Sequence, residues 1–343
     1  MINVRPVVFR TGGNKQIGLG HLRRCLSLAE ALRRLGTDCF FLLDEDPVSV
    51  DQAAAAGFEA MCIQPEKDLP QTIEQCQKRK VRAIVADSYA LNAVYLTGLR
   101  EAKAVVAAVD DLADRELPVD LVINGSLNAD QLAYRGLRTT RYLLGPQYIL
   151  LRSEFAEDPK RTISEQVRRV LVTVGGSDPE HLTLRLVRCA ADAFKDVSVD
   201  IVMGPMFDEQ DFHSADLKSA PVAAVHSNPQ NIRDLMLGAD LALCGGGQTT
   251  YELAATGTPA VAIRFADNQT QNLAGLNSAG ALVWAGDAHD ADLEAKTKRA
   301  LTALAGDPAR RAALSQRGRA MVDGQGAVRV ARAILDLTTG VRS

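Results

Sequence analysis

"VRPVVFRTGGNKQIGLGHLRRCLSLAEALRRLG", residues 4–36, sets an apolar strand, a glycine-marked turn and an amphipathic helix in a row. Leu22, Cys25, Leu26, Ala29 and Leu32 recur at helical spacing on one face, opposite Arg23, Arg24, Ser27, Glu30 and Arg34, and Gly36 supplies the stop. Strand-like and helix-like segments go on alternating in "CFFLL" (39–43), a helix near 47–57, "RAIVA" (82–86), a helix near 91–101, "AVVAAV" (104–109) and "DLVIN" (120–124). Such alternation predicts a parallel sheet with crossover helices, an α/β architecture. The polar stretch "AEDPKRTISEQVRR" (156–169) interrupts it, and "VLVTVGG" (170–176) starts it again. Further strands are expected near 198–203, 221–225, 239–244 and 259–264, followed by three helical stretches from about 290. The expected organisation is two domains, 1–157 and 167–343, each a doubly wound sheet, with a cleft between the carboxyl ends of their strands.

Composition agrees with two ordinary cores. The chain has 343 residues, 47% hydrophobic and 24% charged. A net charge of -3 excludes the overall basicity of a nucleic-acid binder, and Arg23, Arg24, Arg33 and Arg34 read as a solvated helix face. The six cysteines form no CxxC pair and sit mostly in apolar segments, which fits a reducing, cytoplasmic setting. The N-terminus shows no secretory h-region, and no apolar run is long enough to span a bilayer.

Chemistry is expected at strand-to-helix turns, and three of these are rich in glycine. "GGNKQIGLGH" (12–21) has Arg23 where a dinucleotide fingerprint needs its third glycine, and it is no Walker loop. It ends on His21, one of only five histidines. A helix N-terminus discourages imidazolium, so His21 would be an available base near neutral pH; a histidine there also serves as a cap or a packing residue. In "VLVTVGGSDPEH" (170–181), Asp178 as N-cap and Pro179 at the first helical position mark a helix start, and Gly175, Gly176 and Ser177 leave backbone exposed before it. In "LALCGGGQTTYELAATGTP" (241–259), Gly245, Gly246 and Gly247 open a helix through Gln248 and Thr249. Three glycines are entropically costly, and close approach of a diphosphate supplies a reason for them. Glu252, one turn into that helix, is placed to accept hydrogen bonds from a ribose diol.

Other signals are weaker. The histidines have neither HExxH nor HxH spacing, so no metal is expected. "DED" (44–46) before Pro47 reads as a polar turn, and Asp110, Asp111 and Asp114 either orient a polar ligand or cap the next segment. There is no G-x-S-x-G elbow.

Taken together, "FRTGGNKQIGLGHLRRCLSLAEAL", "VADSYAL", "VDDLADRELPVDLVIN", "LLGPQYILLRSEF", "VGGSDP", "GGGQTTYELAATGTPAVAI" and "DNQTQN" resemble the PseG family of UDP-2,4-diacetamido-2,4,6-trideoxy-β-L-altrose hydrolases of pseudaminic acid biosynthesis. The resemblance implies a GT-B fold of two Rossmann-like domains, related to MurG glycosyltransferases, whose last helix can cross back to the first domain. It implies metal-independent, inverting hydrolysis of a UDP-sugar without a cofactor. His21 falls on the family's base, and Asp87 and Tyr89, expected with it as catalytic residues, fall around the sugar together with Asn268 and Gln269, with Arg10 and Gly20 also substrate-binding. Asn231, Ile232, the glycines 245–247, Gln248, Thr249 and Glu252 fall on the nucleotide side, with Gly175, Gly176 and Ser177 facing the ligand. The sequence departs from the family at Gly12, where an acidic residue is common in R-x-D-x-S, and at "NGS" (124–126), where N-x-N is usual. A glycosyltransferase using an acceptor hydroxyl, or a non-catalytic UDP-sugar binding protein, would carry the same motifs.

Overall fold

The computed structural model describes residues 5–13, 19–178, 180–194, 196–207 and 221–339. The chain divides into two compact units: unit 1 is Met1–Ser153 with Gly324–Ser343, and unit 2 is Glu154–Asp323. The division falls just ahead of the polar segment, and the tail is assigned to unit 1 instead of the second domain.

Unit 1 is built on a seven-stranded parallel sheet of β1 (Val7–Thr11), β2 (Cys39–Leu43), β3 (Glu59–Cys62), β4 (Ala83–Asp87), β5 (Val105–Val109), β7 (Leu121–Asn124) and β9 (Arg141–Leu144), in the order β3-β2-β1-β4-β5-β7-β9. Two short strands, β6 (Glu116–Leu117) and β8 (Arg135–Gly136), pair separately. Central strands are apolar up to their carboxyl ends because both faces are covered: Val7, Val8, Phe9, Ile84 and Val85 are fully buried, and polar Arg10, Thr11 and Asp87 stand only at the ends of β1 and β4. The crossovers are α1 (Gly20–Arg34), α2 (Pro47–Ala55), α3 (Asp68–Lys78) and α4 (Ala93–Gly98). Asp46 caps α2 by accepting the Ser49 amide at 2.8 Å, with Pro47 at the first position.

Unit 2 has a six-stranded parallel sheet in the order β12-β11-β10-β13-β14-β15, from β10 (Arg169–Thr173), β11 (Ser198–Met203), β12 (Val222–Ser227), β13 (Leu241–Gly245), β14 (Ala260–Arg264) and β15 (Val283–Asp287). Its helices are α5 (Leu182–Ala193), α6 (Ile232–Gly238), α7 (Thr249–Thr256), α8 (Thr270–Ser278), α9 (Leu293–Ala305) and α10 (Pro308–Met321). Leu301, Leu304 and Leu314 join its core. Arg311, with no exposed surface, donates to the carbonyls of Leu304, Ala305, Ser164 and Glu165, tying the end of α9 to the start of the unit.

The last helix, α11 (Gly326–Thr339), buries Val330, Ala331 and Ile334 and packs against α1 and β5 inside unit 1. A Cβ on Gly326 would lie 2.7 Å from the Ile149 amide nitrogen, so only glycine allows this approach.

Two helix readings are corrected. Arg24 is not on a solvated face: its side chain is 15% exposed and turns towards the ends of β4 and β5. Ser27 is buried and donates to the Arg23 carbonyl at 3.0 Å, as a helical serine can. Asp178 is not the residue flanking its helix, since α5 starts at Leu182 after His181 in left-handed conformation, φ 49°. Its carboxylate still caps the helix, accepting the Leu182 and Thr183 amides at 2.8 Å each. Pro179 lies outside the described residues.

Candidate active site

In both sheets the strand order reverses beside the first strand, between β1 and β4 in unit 1 and between β10 and β13 in unit 2. Open parallel sheets bind ligands beyond the carboxyl ends of the strands at such a point. The residues that stand there are those expected to carry chemistry.

In unit 1, β1 ends on Thr11 and β4 on Asp87, paired in register, and the Thr11 hydroxyl donates to the Asp87 carbonyl at 3.0 Å. Residues 14–18 lie outside the described part, so Gly20 and His21 are what is seen of the Gly-x-Gly-His motif. Gly20, exposed, is the first residue of α1, with open space where a side chain would be. His21 is next and 6% exposed, and its Nδ1 lies 2.6 Å from Asp87 Oδ1. An ionised carboxylate only accepts, so the ring nitrogen facing it, Nδ1, carries a proton, and in the neutral ring the lone pair is then on Nε2.

Asp87 has no exposed surface. Arg24, one turn beyond His21, donates to it through Nε (to Oδ2) and Nη2 (to Oδ1), both at 2.6 Å, and through Nη1 to Asp111 Oδ2, also at 2.6 Å. Burial disfavours the charge on Asp87, but Arg24 and then His21 outweigh it, holding the carboxyl well below the usual carboxylate range. Burial likewise opposes the charge on Arg24 and is overcome by Asp111 and Asp87, so the guanidinium stays charged. The Cys25 thiol, 3.4 Å from Asp87 Oδ2, is pushed up by burial and by that carboxylate and is no nucleophile. Tyr89, 37% exposed, meets the imidazole edge-on at 4.5 Å between centroids and donates to Asp111 at 3.3 Å.

Two expectations change here. Asp87 was expected around the sugar, but full burial makes it the partner of His21 and Arg24 instead. Arg10 was expected to bind substrate. Its guanidinium is 4% exposed and committed: Nη1 to the Thr11 carbonyl, Nη2 to Asp44 and Asp68, and Nε to Asp68. Asp68 also accepts the Tyr95 hydroxyl at 2.5 Å, which completes a partly buried polar cluster around Arg10. The Asp44 carboxylate fills the space over Gly12, where an added Cβ would lie 2.5 Å from its Cγ. Asn124 and Ser126 close on each other, with the Ser126 amide and hydroxyl donating to Asn124 Oδ1 at 2.8 and 2.6 Å. Asp110 caps its own turn through the Leu112 and Ala113 amides at 3.0 and 2.7 Å.

In unit 2, the turns after β10 and β13 flank the switch point. Gly175, at φ +117°, and Gly176 have open space at their Cβ positions and precede Ser177. The three glycines after β13 differ in what they face. A Cβ on Gly245 would collide with the Phe265 ring and lie 2.7 Å from the Val174 carbonyl, and one on Gly246 would be 2.6 Å from Leu273 Cδ1. Only Gly247 has open space. Packing therefore supplies a reason for two of the three, and close approach of a diphosphate is left as the reason for Gly247 alone. Gln248 flanks α7, Thr249 begins it, and Glu252 is half-buried in its first turn. Asn272 donates to the Gly246 carbonyl at 2.7 Å and the Thr250 hydroxyl at 2.9 Å, bracing the turn.

The remaining candidates are spread over neighbouring turns. Asn231 is exposed at the start of α6, while the Ile232 side chain is buried and offers a ligand only its backbone. Asn268 is exposed, and buried Gln269 accepts the Phe265 amide at 3.1 Å. Arg24 and Asn272 are functional candidates that sequence reasoning missed, and Asp111, read there as orienting a polar ligand or capping a segment, instead accepts from Arg24 and Tyr89. The available signal was spacing, since His21 and Arg24 are three apart on one helix and share a face. Among the described residues, no three or more His, Cys, Asp or Glu side chains group to hold a metal ion, and no helix is long and apolar enough to cross a membrane.

This architecture is the GT-B fold, two Rossmann-like parallel-sheet units. The crystal structure of Acinetobacter baumannii MurG is similar with a TM-score of 0.68 and 15% identity, over 96% of this chain and 99% of that one. No family model matches. Among curated proteins, the spore coat polysaccharide biosynthesis protein SpsG of Bacillus subtilis is 24% identical over 96% of this chain and 97% of its own length. The pseudaminic acid cytidylyltransferase and UDP-2,4-diacetamido-2,4,6-trideoxy-beta-L-altropyranose hydrolase of Helicobacter pylori is 25% identical over 74% of this chain, which spans 43% of that protein. The chain likewise spans 54% of the Methanocaldococcus jannaschii protein MJ1062, at 25% identity.

Proposed function

We propose that this protein is an enzyme that hydrolyses a UDP-sugar, releasing UDP and a free 2,4-diacetamido-2,4,6-trideoxyhexose with inversion, as its resemblance to the PseG family implies. The observation that carries the reading is the His21–Asp87 pair at the switch point of unit 1, with Nδ1 2.6 Å from the carboxylate. Nε2 of His21 takes a proton from water as the water oxygen bonds to the anomeric carbon. The bond from that carbon to the diphosphate oxygen breaks, and UDP leaves with the electron pair. UDP is a good leaving group, so a base and backbone amides for the departing charge suffice. In unit 2, the open backbone at Gly175, Gly176 and Gly247, with Ser177, Gln248 and Thr249, is the proposed site for the diphosphate. Glu252 is proposed for the ribose, and Asn231 with the Ile232 backbone for the remaining nucleotide contacts. Tyr89, Asn268, Gln269 and Gly20 are proposed on the sugar side. A cytoplasmic setting fits such a substrate.

The test is UDP release from UDP-2,4-diacetamido-trideoxyhexoses in ¹⁸O-labelled water with no acceptor added. Label is expected in the sugar and absent from UDP, with the anomer inverted by NMR. The likeness to MurG favours a second reading, transfer to an acceptor hydroxyl. UDP release that begins only when an acceptor is supplied would establish it in place of the first.

A further inference from the structure

We propose that Arg24, held by Asp111, is a positioning residue that sets the tautomer of His21 by acting through Asp87. The inference deepens the reading of His21 as a base, but its first readout does not require turnover.

A buried carboxyl group beside an imidazole that acts as a base has two arrangements to choose between while the ring is neutral. Ionised, it accepts the Nδ1 proton and leaves Nε2 free. Protonated, it donates to Nδ1, the ring proton moves to Nε2, and the base is lost. The choice depends on what else faces the carboxylate. α1 brings His21, Arg24 and Cys25, and β1 brings the Thr11 hydroxyl, which is spent on the Asp87 carbonyl. The segments after β4 and β5 bring Tyr89 and Asp111, which meet each other and Arg24. Arg24 is the permanent cation in this set, and it engages both oxygens of Asp87 in the fork geometry that a guanidinium supplies and an ammonium does not.

The contacts around Nδ1 complete the case. Arg24 Nη2 lies 3.0 Å from Nδ1 and 2.6 Å from Asp87 Oδ1, and Oδ1 lies 2.6 Å from Nδ1. Were Nδ1 bare, it could accept from Arg24, but its lone pair would then face an anionic oxygen at 2.6 Å. With the proton on Nδ1, both it and Arg24 donate to the same oxygen and every group is satisfied. Arg24 keeps Asp87 ionised and aimed, and Asp111 fixes the guanidinium by taking its third nitrogen.

The experiment uses the full chain labelled with ¹⁵N-histidine, reading two-bond ¹H–¹⁵N correlations of His21, assigned by their loss in His21→Ala. Wild type is expected to show the proton on Nδ1. Arg24→Gln should shift His21 towards the Nε2–H form and lower kcat for UDP release by at least ~100-fold, with KM within about 3-fold. Arg24→Lys, restoring charge without the fork, should fall between, and Asp111→Asn should lower kcat by about 3–10-fold. Unchanged tautomer and kcat in Arg24→Gln would overturn the proposal. If that variant does not fold, wild-type kcat in both Arg24→Lys and Asp111→Asn would overturn it equally. A tautomer shift in Arg24→Gln, in a protein that releases no UDP from any substrate, would uphold the positioning role and reject the hydrolase reading.

Discussion

Nδ1 of His21 and Oδ1 of Asp87 are 2.6 Å apart, and the carboxylate that holds the ring has no exposed surface. The base thus comes from the first turn of α1 and the orienting group from the end of β4, which the topology makes neighbours. His21→Ala should lower UDP release by about 10²–10⁴-fold, the range for a lost general base. UDP affinity, measured by calorimetry, should stay within about 3-fold, because the base acts at the transition state. Equal losses in both would remove His21 from the chemistry.

Asp87→Asn keeps the shape but lets the amide bond the other tautomer, so kcat should drop on the order of 10³-fold or more while KM changes little. The substitution also alters acid stability. The folded carboxyl of Asp87 lies below its unfolded value of about 3.9, so its stabilisation is complete above that pH and is lost as pH falls through the folded value. Chemical denaturation between pH 5 and 2 should show a shallower loss of stability in Asp87→Asn, by up to about one proton. A slope equal to that of wild type would mean that Asp87 is not held ionised in the fold.

Gly12→Ala forces a methyl group into the Asp44 carboxylate and should cost about 1–3 kcal/mol, the range for overpacking. Asp44→Ala in the same chain should recover most of that loss. Additive effects in the double-mutant cycle would show that the two positions do not share one space.

The glycines after β13 separate by role. Gly245→Ala should destabilise by about 1–3 kcal/mol through Phe265 and the Val174 carbonyl and lower Tm. Gly247→Ala should leave Tm within error yet weaken UDP binding about 10-fold if the diphosphate approaches there. Unchanged Kd in Gly247→Ala would move the nucleotide site away from this turn.

The sequence reading found the strands sheathed on both faces and the edge strand β12, and missed the edge strands β3, β9 and β15. Strands β1, β2, β4, β5 and β7 are apolar runs, whereas β3, β9 and β15 end their sheets, are partly exposed and carry mixed residues such as "EAMC" and "RYLL". In β15, Gly286 at φ +142° and a register shift against β14 break the pattern further. The sequence drew notice to His21 and the glycine turns by residue type and position, but it could not separate Gly247, which has open space, from Gly245 and Gly246, which packing requires. Arg24 drew no notice, because an arginine beside another arginine on a helix looks solvated until the carboxylates facing it are known. Asp87 and Asp111 lie 63 and 87 residues away, a pairing that only the strand order reveals. The same holds for Arg10, whose partner Asp68 opens a helix, α3, that the periodicity did not bring out.

The helix Gly326–Thr339 belongs to the unit that begins the chain, although the whole of the other unit is threaded in between. A ribosome therefore delivers every residue of the contiguous unit before it delivers the last piece of the interrupted one. Unit 2 can close as it emerges, while α1 waits for the helix that packs against it until Gly326–Thr339 has been made. Packing of α1, the helix that carries His21, is in this way tied to synthesis of Gly326–Thr339, and a chain cut short at residue 323 would carry the motif without the helix that packs against α1.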